Sequence, residues 1–160
     1  MEMWRAFVLI VVLSTPAVPQ TVEVKAKPLS DADVQLIRQD VQAQKNKIIN
    51  DTMAFTESEA AAFWPVYKEY AAEQHAIGTK RLSLIVDYAK NLDQMDDNKA
   101  HELSQRMFTI EDDTQDLRKK YYSRFEKALG ARRAAKFYQV DNRVSLIVNF
   151  QLSSEIPLIP

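Results

Sequence analysis

The sequence predicts an all-α fold, an elongated bundle of four amphipathic helices organised around a long antiparallel helical hairpin. Three observations carry that prediction. Only two glycines, Gly78 and Gly130, occur in 160 residues, where average usage would place about eleven. Turn-dense sandwiches, barrels and phosphate-cradling glycine loops all need more. Pro65 is the only proline between Leu29 and Ile156, which leaves long runs in which a helix can continue. Apolar residues through those runs recur at spacings of three and four, the period of one helix face.

The first element is an expected export signal over residues 1–17. Arg5 supplies a positive n-region, Ala6 to Leu13 form an unbroken apolar run, and Ser14-Thr15-Pro16-Ala17 is a helix-breaking stretch of small residues. Cleavage is expected after Ala17, with Ala26 the second choice. Eight apolar residues rise only about 12 Å, short of the ~30 Å hydrocarbon core that an anchor must cross. The mature chain is therefore expected in the periplasm of a Gram-negative cell. Residues 18–28 hold two prolines and no sustained periodicity, and are expected to form a flexible leader.

The helical domain is expected over 29–152. Helix 1, about 31–50, carries Val34, Ile37, Val41 and Ile48 on one narrow stripe. Helix 2, about 57–90, presents a wider face of Phe63, Trp64, Tyr67, Tyr70, Ile77, Leu84, Ile85 and Tyr88. Its start at Thr56-Glu57-Ser58-Glu59 is a capping box, with Thr56 taking the Glu59 amide proton and Glu59 returning to the Thr56 amide. Pro65 lies past its first turn and is expected to kink it. Helix 3, about 97–128, repeats Leu103, Met107, Ile110, Leu117, Tyr121 and Phe125, and helix 4, about 131–152, repeats Ala134, Phe137, Val144, Ile147, Val148 and Leu152. Most of the aromatic residues are expected in the core. The apolar tail, 153–160, ends Ile156-Pro157-Leu158-Ile159-Pro160 and is expected to dock across the helices or to engage a partner.

Four helix junctions share a local pattern, at Leu29-Ser30, Phe55-Thr56, Met95-Asp96 and Leu129-Gly130. An apolar residue, a cap and a polar residue three further on resemble the LTxxQ motif of the Spy and CpxP group of periplasmic stress proteins. Phe55-Thr56-Glu57-Ser58-Glu59 is the best match, and Leu129-Gly130-Ala131-Arg132-Arg133-Ala134-Ala135-Lys136-Phe137 resembles the second copy of the motif without its threonine and glutamine. The resemblance implies a cradle-like antiparallel dimer that binds unfolded or stress-exposed envelope proteins without ATP, or damps a membrane stress sensor. A metal-sensing branch of the same superfamily supplies a further reading.

Side-chain chemistry narrows the classes. The absence of cysteine removes disulfides, thiolate zinc sites, cysteine nucleophiles and a lipid-modified N-terminal cysteine. His75 and His101 lie on different helices without further donors nearby, which reads as structural or solvent-facing rather than metal-binding. The acidic groups around Asp93, Asp96 and Asp97 and around Glu111, Asp112, Asp113 and Asp116 lack the glycine-containing spacing of a calcium loop. No catalytic constellation is present in the motifs, and neither a cofactor nor a metal is expected.

A net charge of −1 argues against nucleic-acid binding, but it hides a separation. Residues 87–116 hold nine acids against three bases, and residues 118–143 hold nine bases against two acids, giving −6 and +7. Macrodipole and interhelix pairing account for part of this. The basic segment also offers a candidate protein-binding surface of Arg118, Lys119, Arg124, Arg132, Arg133, Lys136 and Arg143. Three functional readings follow: a chaperone or stress modulator, a metal-responsive sensor or buffer, and a structural envelope coiled coil forming an elongated oligomer; the chain is expected as a homodimer.

Overall fold

The computed structural model describes residues 31–154 and 156–159. The expected export signal, the leader and the Leu29-Ser30 junction lie outside them, as do the side chains of Val34, Ile37 and Leu152. Four helices follow in order: α1 Asp31–Met53, α2 Glu57–Asn91, α3 Asp97–Leu129 and α4 Ala131–Ser154, with a short 3-10 turn Leu92–Gln94 before α3. There is no strand among the described residues. No helix among them is long and apolar enough to cross a membrane.

Each boundary has a local cause. The α2 start is the capping box: the Glu59 amide donates to Thr56 Oγ1 at 3.3 Å and the Thr56 amide to Glu59 Oε2 at 2.9 Å. Asp96 caps α3 by accepting from the Lys99 amide at 2.7 Å. Gly130 stops α3 with φ 78 and ψ 156, a region that is essentially glycine-only. The end of α1 differs from the expected position by three residues. Its last turn has no basic residue of its own, yet Lys136 donates to the Thr52 carbonyl at 2.6 Å and Arg133 to the Met53 carbonyl at 2.8 Å. Cations from α4 thus satisfy the orphan carbonyls and oppose the negative end of the α1 dipole. Ala54 then leaves the helix at φ 45. Pro65 lies inside α2, which runs on to Asn91.

α2 and α3 form the antiparallel hairpin, α3 being about 50 Å long at 1.5 Å per residue. α4 returns along α3, and α1 lies against α4. The main core lies at the end holding the α1–α2 and α3–α4 turns. Phe63, Tyr67, Tyr70, Tyr121, Phe125 and Phe137 are buried there with Ile49, Met53, Leu117, Ala134 and Val140. Ring centroids stand 4.5 Å apart for Phe125 and Phe137, 4.9 Å for Phe63 and Phe137, and 5.5 Å for Tyr70 and Tyr121, each pair worth about 0.5–1.5 kcal/mol beyond area burial. Among the described residues, the far end of the hairpin buries only Leu84, Leu103 and Ile110.

Four apolar positions on the expected faces are not core. Val41 and Ile48 on α1, Met107 on α3 and Ile147 on α4 are all exposed, whereas α1 instead buries Lys45, Ile49 and Met53. The face turned inward on α1 is the one whose lysine meets a carboxylate on α4. The tail docks in part: the Tyr88 hydroxyl donates to the Pro157 carbonyl at 2.7 Å and Ile156 is half-buried, while Leu158 stays 89% exposed.

Candidate functional site

The seven basic residues singled out in the sequence separate into two groups. Arg124 makes a two-pronged contact with Glu69 of α2, at 2.7 and 3.1 Å, over the Tyr121 ring. Arg133 pairs with Glu59 at 2.6 Å besides holding α1, and Lys136 is occupied by the Thr52 carbonyl. Arg118 is half-buried with its guanidinium 5.8 Å from the Tyr138 ring centre, lining a cavity shared with Tyr70 and Asp141. These four hold helices together. Lys119 is exposed and pairs within α3 with Asp116 at 3.3 Å, and Arg132 and Arg143 are exposed on α4.

Pairing between α2 and α3 absorbs much of the charge separation. Lys120 and the Tyr121 hydroxyl both reach Glu73 at 2.7 Å, and Lys80 reaches Asp113 at 2.7 Å. Asp87 receives Lys99 at 3.0 Å and also Arg106. Hydrogen bonds from these cations hold Glu73, Glu69 and Asp87 below their ordinary values. Lys120 and Arg124 of α3 are thus answered by α2 acids, whereas Lys119 pairs with Asp116 and Lys99 and Arg106 also pair with Glu102 within α3.

An outward stripe runs along α4. Arg132, Lys136, Gln139, Arg143, Leu146 and Phe150 follow one another at helical spacing, all exposed, with Ile147 beside them. Its first half is basic and borders an open depression of about 690 Å³ lined by Arg132, Arg133, Ala135, Lys136 and Gln139. Its second half is apolar, with Phe150 75% exposed. The only acid in α4 is Asp141, and it is 1% exposed. The α4 surface therefore presents positive charge and apolar area with no carboxylate to offset them.

Asp141 belongs to a buried polar node that the sequence reading missed. Lys45 Nζ lies 2.7 Å from Asp141 Oδ1 as an ion pair and donates to Gln74 Oε1 at 2.6 Å. The Tyr70 hydroxyl donates to Asp141 Oδ2 at 2.8 Å and accepts from Gln74 Nε2 at 3.2 Å. Burial, with Asp141 beside it, pushes the Tyr70 phenol well above its usual value. Nearby, Gln42 Nε2 donates to the Tyr67 hydroxyl at 3.0 Å. One signal was available: Asp141 stands alone as an acid among the apolar positions Phe137, Val140, Val144 and Val148 of a basic helix.

His75 and His101 are both exposed, on α2 and α3. Asp96 is committed to its cap and Asp113 to Lys80. Among the described residues no three His, Asp or Glu side chains are grouped so as to hold a metal ion. No family model, curated protein or solved structure matches the chain.

Proposed function

We propose that the chain is an exported, non-enzymatic helical protein of the Spy and CpxP kind. In this reading it acts as an ATP-independent chaperone or envelope-stress modulator through the apolar and basic outer face of α4. The carrying observation is the run from Arg132 to Phe150, where exposed bases pass into exposed Leu146, Ile147 and Phe150 and the one acid is buried. Unfolded segments offer apolar side chains, and those carrying acids gain steering from Arg132 and Arg143. Adjacent apolar and charged zones without a deep pocket suit contacts with many partners rather than one shaped ligand. The same face would serve a membrane sensor with an acidic periplasmic segment.

The test is suppression of aggregation of reduced α-lactalbumin, a fair client because this chain has no cysteine for the reductant to touch. Suppression at a one-to-one ratio is expected, and the double variant Leu146→Ser/Phe150→Ser should lose most of it while keeping its helical circular dichroism. No suppression by the wild-type protein at that ratio would sink the chaperone reading, and unimpaired suppression by the double variant would remove α4 as its surface.

A further inference from the structure

We propose that the groove between α2 and α4 is a receptor site for an amphipathic helix carrying a lysine, and that α1 is the releasable strap that fills it. α1 reaches both walls. Gln42 donates to the Tyr67 hydroxyl of α2 at 3.0 Å, and Lys45 donates to Gln74 Oε1 of α2 at 2.6 Å while pairing with Asp141 of α4 at 2.7 Å. Among the described residues the only buried apolar side chains of α1 are Ile49 and Met53. The pattern that fits the groove is therefore a lysine followed by apolar residues four and eight positions on, which share one face of a helix.

The floor of the groove is held without α1. Phe137 of α4 stands 4.9 Å from Phe63 and 6.0 Å from Tyr67 of α2, and 4.5 Å from Phe125 of α3. These rings tie α2, α3 and α4 to one another, and the pairs of Glu69 with Arg124 and Glu73 with Lys120 close the α2–α3 seam. α1 is attached instead by few apolar side chains and one buried ion pair. Removing one partner of such a pair strands the other in a dry site, but release of the whole helix returns both ions to water.

The joint is defined as well. Ala54 is the one non-glycine residue with positive φ among the described residues, at 45°, a left-handed conformation that strains a residue with a Cβ. On its far side Phe55 is fixed 4.6 Å from the Phe63 ring, with the Arg133 guanidinium 5.7 Å from its own. Lys136 and Arg133 hold only the last turn of α1, next to this joint. Motion of α1 therefore centres on Ala54 and leaves α2 in place, as in a unit that opens below the global unfolding limit. Once open, the groove offers the Tyr67 and Tyr70 rings beside the Asp141 carboxylate, which favours an entering helix with a matching lysine over a neutral or acidic one. The groove shares no residue with the outer stripe of α4, and neither site needs the other.

Two measurements on the full chain test it. In the wild type, amides from Lys45 to Asn50 should exchange with solvent about tenfold faster or more than those around Phe125, with a weaker dependence on denaturant. A labelled peptide of the α1 sequence, Asp31–Met53, is the binding probe. Lys45→Glu in the protein sets two carboxylates against each other and releases α1, so this variant should bind the peptide about tenfold or more tightly than the wild type, whose site is filled. The peptide carrying Lys45→Glu should bind that variant about tenfold or more weakly. Adding Leu146→Ser/Phe150→Ser to the variant should leave its affinity for the unaltered peptide within about threefold. α1 amides that exchange only with global unfolding, equal affinity of the wild type and the Lys45→Glu protein, equal affinity of the two peptides, or loss of binding with the α4 substitutions would each overturn the proposal. The exchange measurement uses no substitution, so it decides the matter even where Lys45→Glu does not fold.

Discussion

Asp141 is the residue on which the packing of α1 depends. It is almost completely buried, and among the described residues its charge is answered by Lys45 and by the Tyr70 hydroxyl. Replacing Asp141 by Asn should destabilise the fold by about 3–5 kcal/mol, because the Lys45 ammonium would remain buried without its counter-charge. The double replacement Lys45→Met/Asp141→Leu should lose much less, since a buried pair exchanged for apolar side chains of similar size is often neutral. Urea denaturation of the two variants checks this, and equal losses would contradict the ion-pair account. Neither residue was visible as a pair in the sequence, because they stand 96 positions apart and nothing local relates a lysine on one helix to an aspartate on another. The Thr56 and Glu59 box was visible, because a cap is built from four consecutive residues whose hydrogen bonds depend on nothing distant.

At the scale of the element, the two glycines play opposite parts. Gly130 ends α3 in backbone geometry that other residues strain to adopt, although a Cβ there would meet no atom within 4 Å. Gly130→Ala should therefore cost about 1–3 kcal/mol through backbone strain alone. Gly78 sits in the middle of α2, exposed, and a Cβ there also meets nothing within 4 Å. Gly78→Ala should stabilise the protein by about 0.5–1 kcal/mol by removing backbone freedom from the unfolded chain. Thermal unfolding should move in opposite directions for the two, and a shift of the same sign in both would refute the argument. Starts of helices were legible to the residue where Thr56 and Asp96 cap them. The end of α1 was not, because Lys136 and Arg133 of α4 supply the donors that extend it past Asn50.

Across the whole molecule, the ion pairs between α2 and α3 set the acid response. Glu69, Glu73 and Asp87 are held below their ordinary values of 4.5, 4.5 and 3.8 by bonds from Arg124, Lys120 and Lys99 with Arg106. Folded carboxylates that resist protonation contribute stability that is complete above those ordinary values and is lost as pH falls through the depressed ones. The urea midpoint should stay flat from neutral pH down to about 5 and then drop, and Glu73→Gln should make the drop shallower. Tyr67 and Tyr70 are raised by burial, so they keep their contribution below pH ~10 and lose it as pH rises through the higher folded values. Uneven burial gives a second expectation. The aromatic cluster lies at one end and only Leu84, Leu103 and Ile110 are buried at the other, so amides near the α2–α3 connection should exchange with solvent faster than those around Tyr70 and Phe125.

The sequence by itself determined the helices. Scarce glycine, a single internal proline, local caps and a three- and four-residue apolar period are short-range properties, and a helix closes its own hydrogen bonds within one turn. It also marked the charge separation along α3 and α4, since that can be counted. Tertiary structure decided which face of each helix turned inward, and therefore which charges were spent. An amphipathic stripe states that a face is apolar, but the partner helix decides whether Ile49 or Ile48 is covered, and whether Arg133 caps a neighbour or stands free as Arg132 does. Of the seven basic side chains, only Arg132 and Arg143 accordingly stay exposed on α4 without a helix-joining partner, on the helix whose Leu146, Ile147 and Phe150 the fold leaves in solvent, while Lys119 stays exposed on α3. Burial is a property of two surfaces meeting, and one strand of sequence describes only one of them.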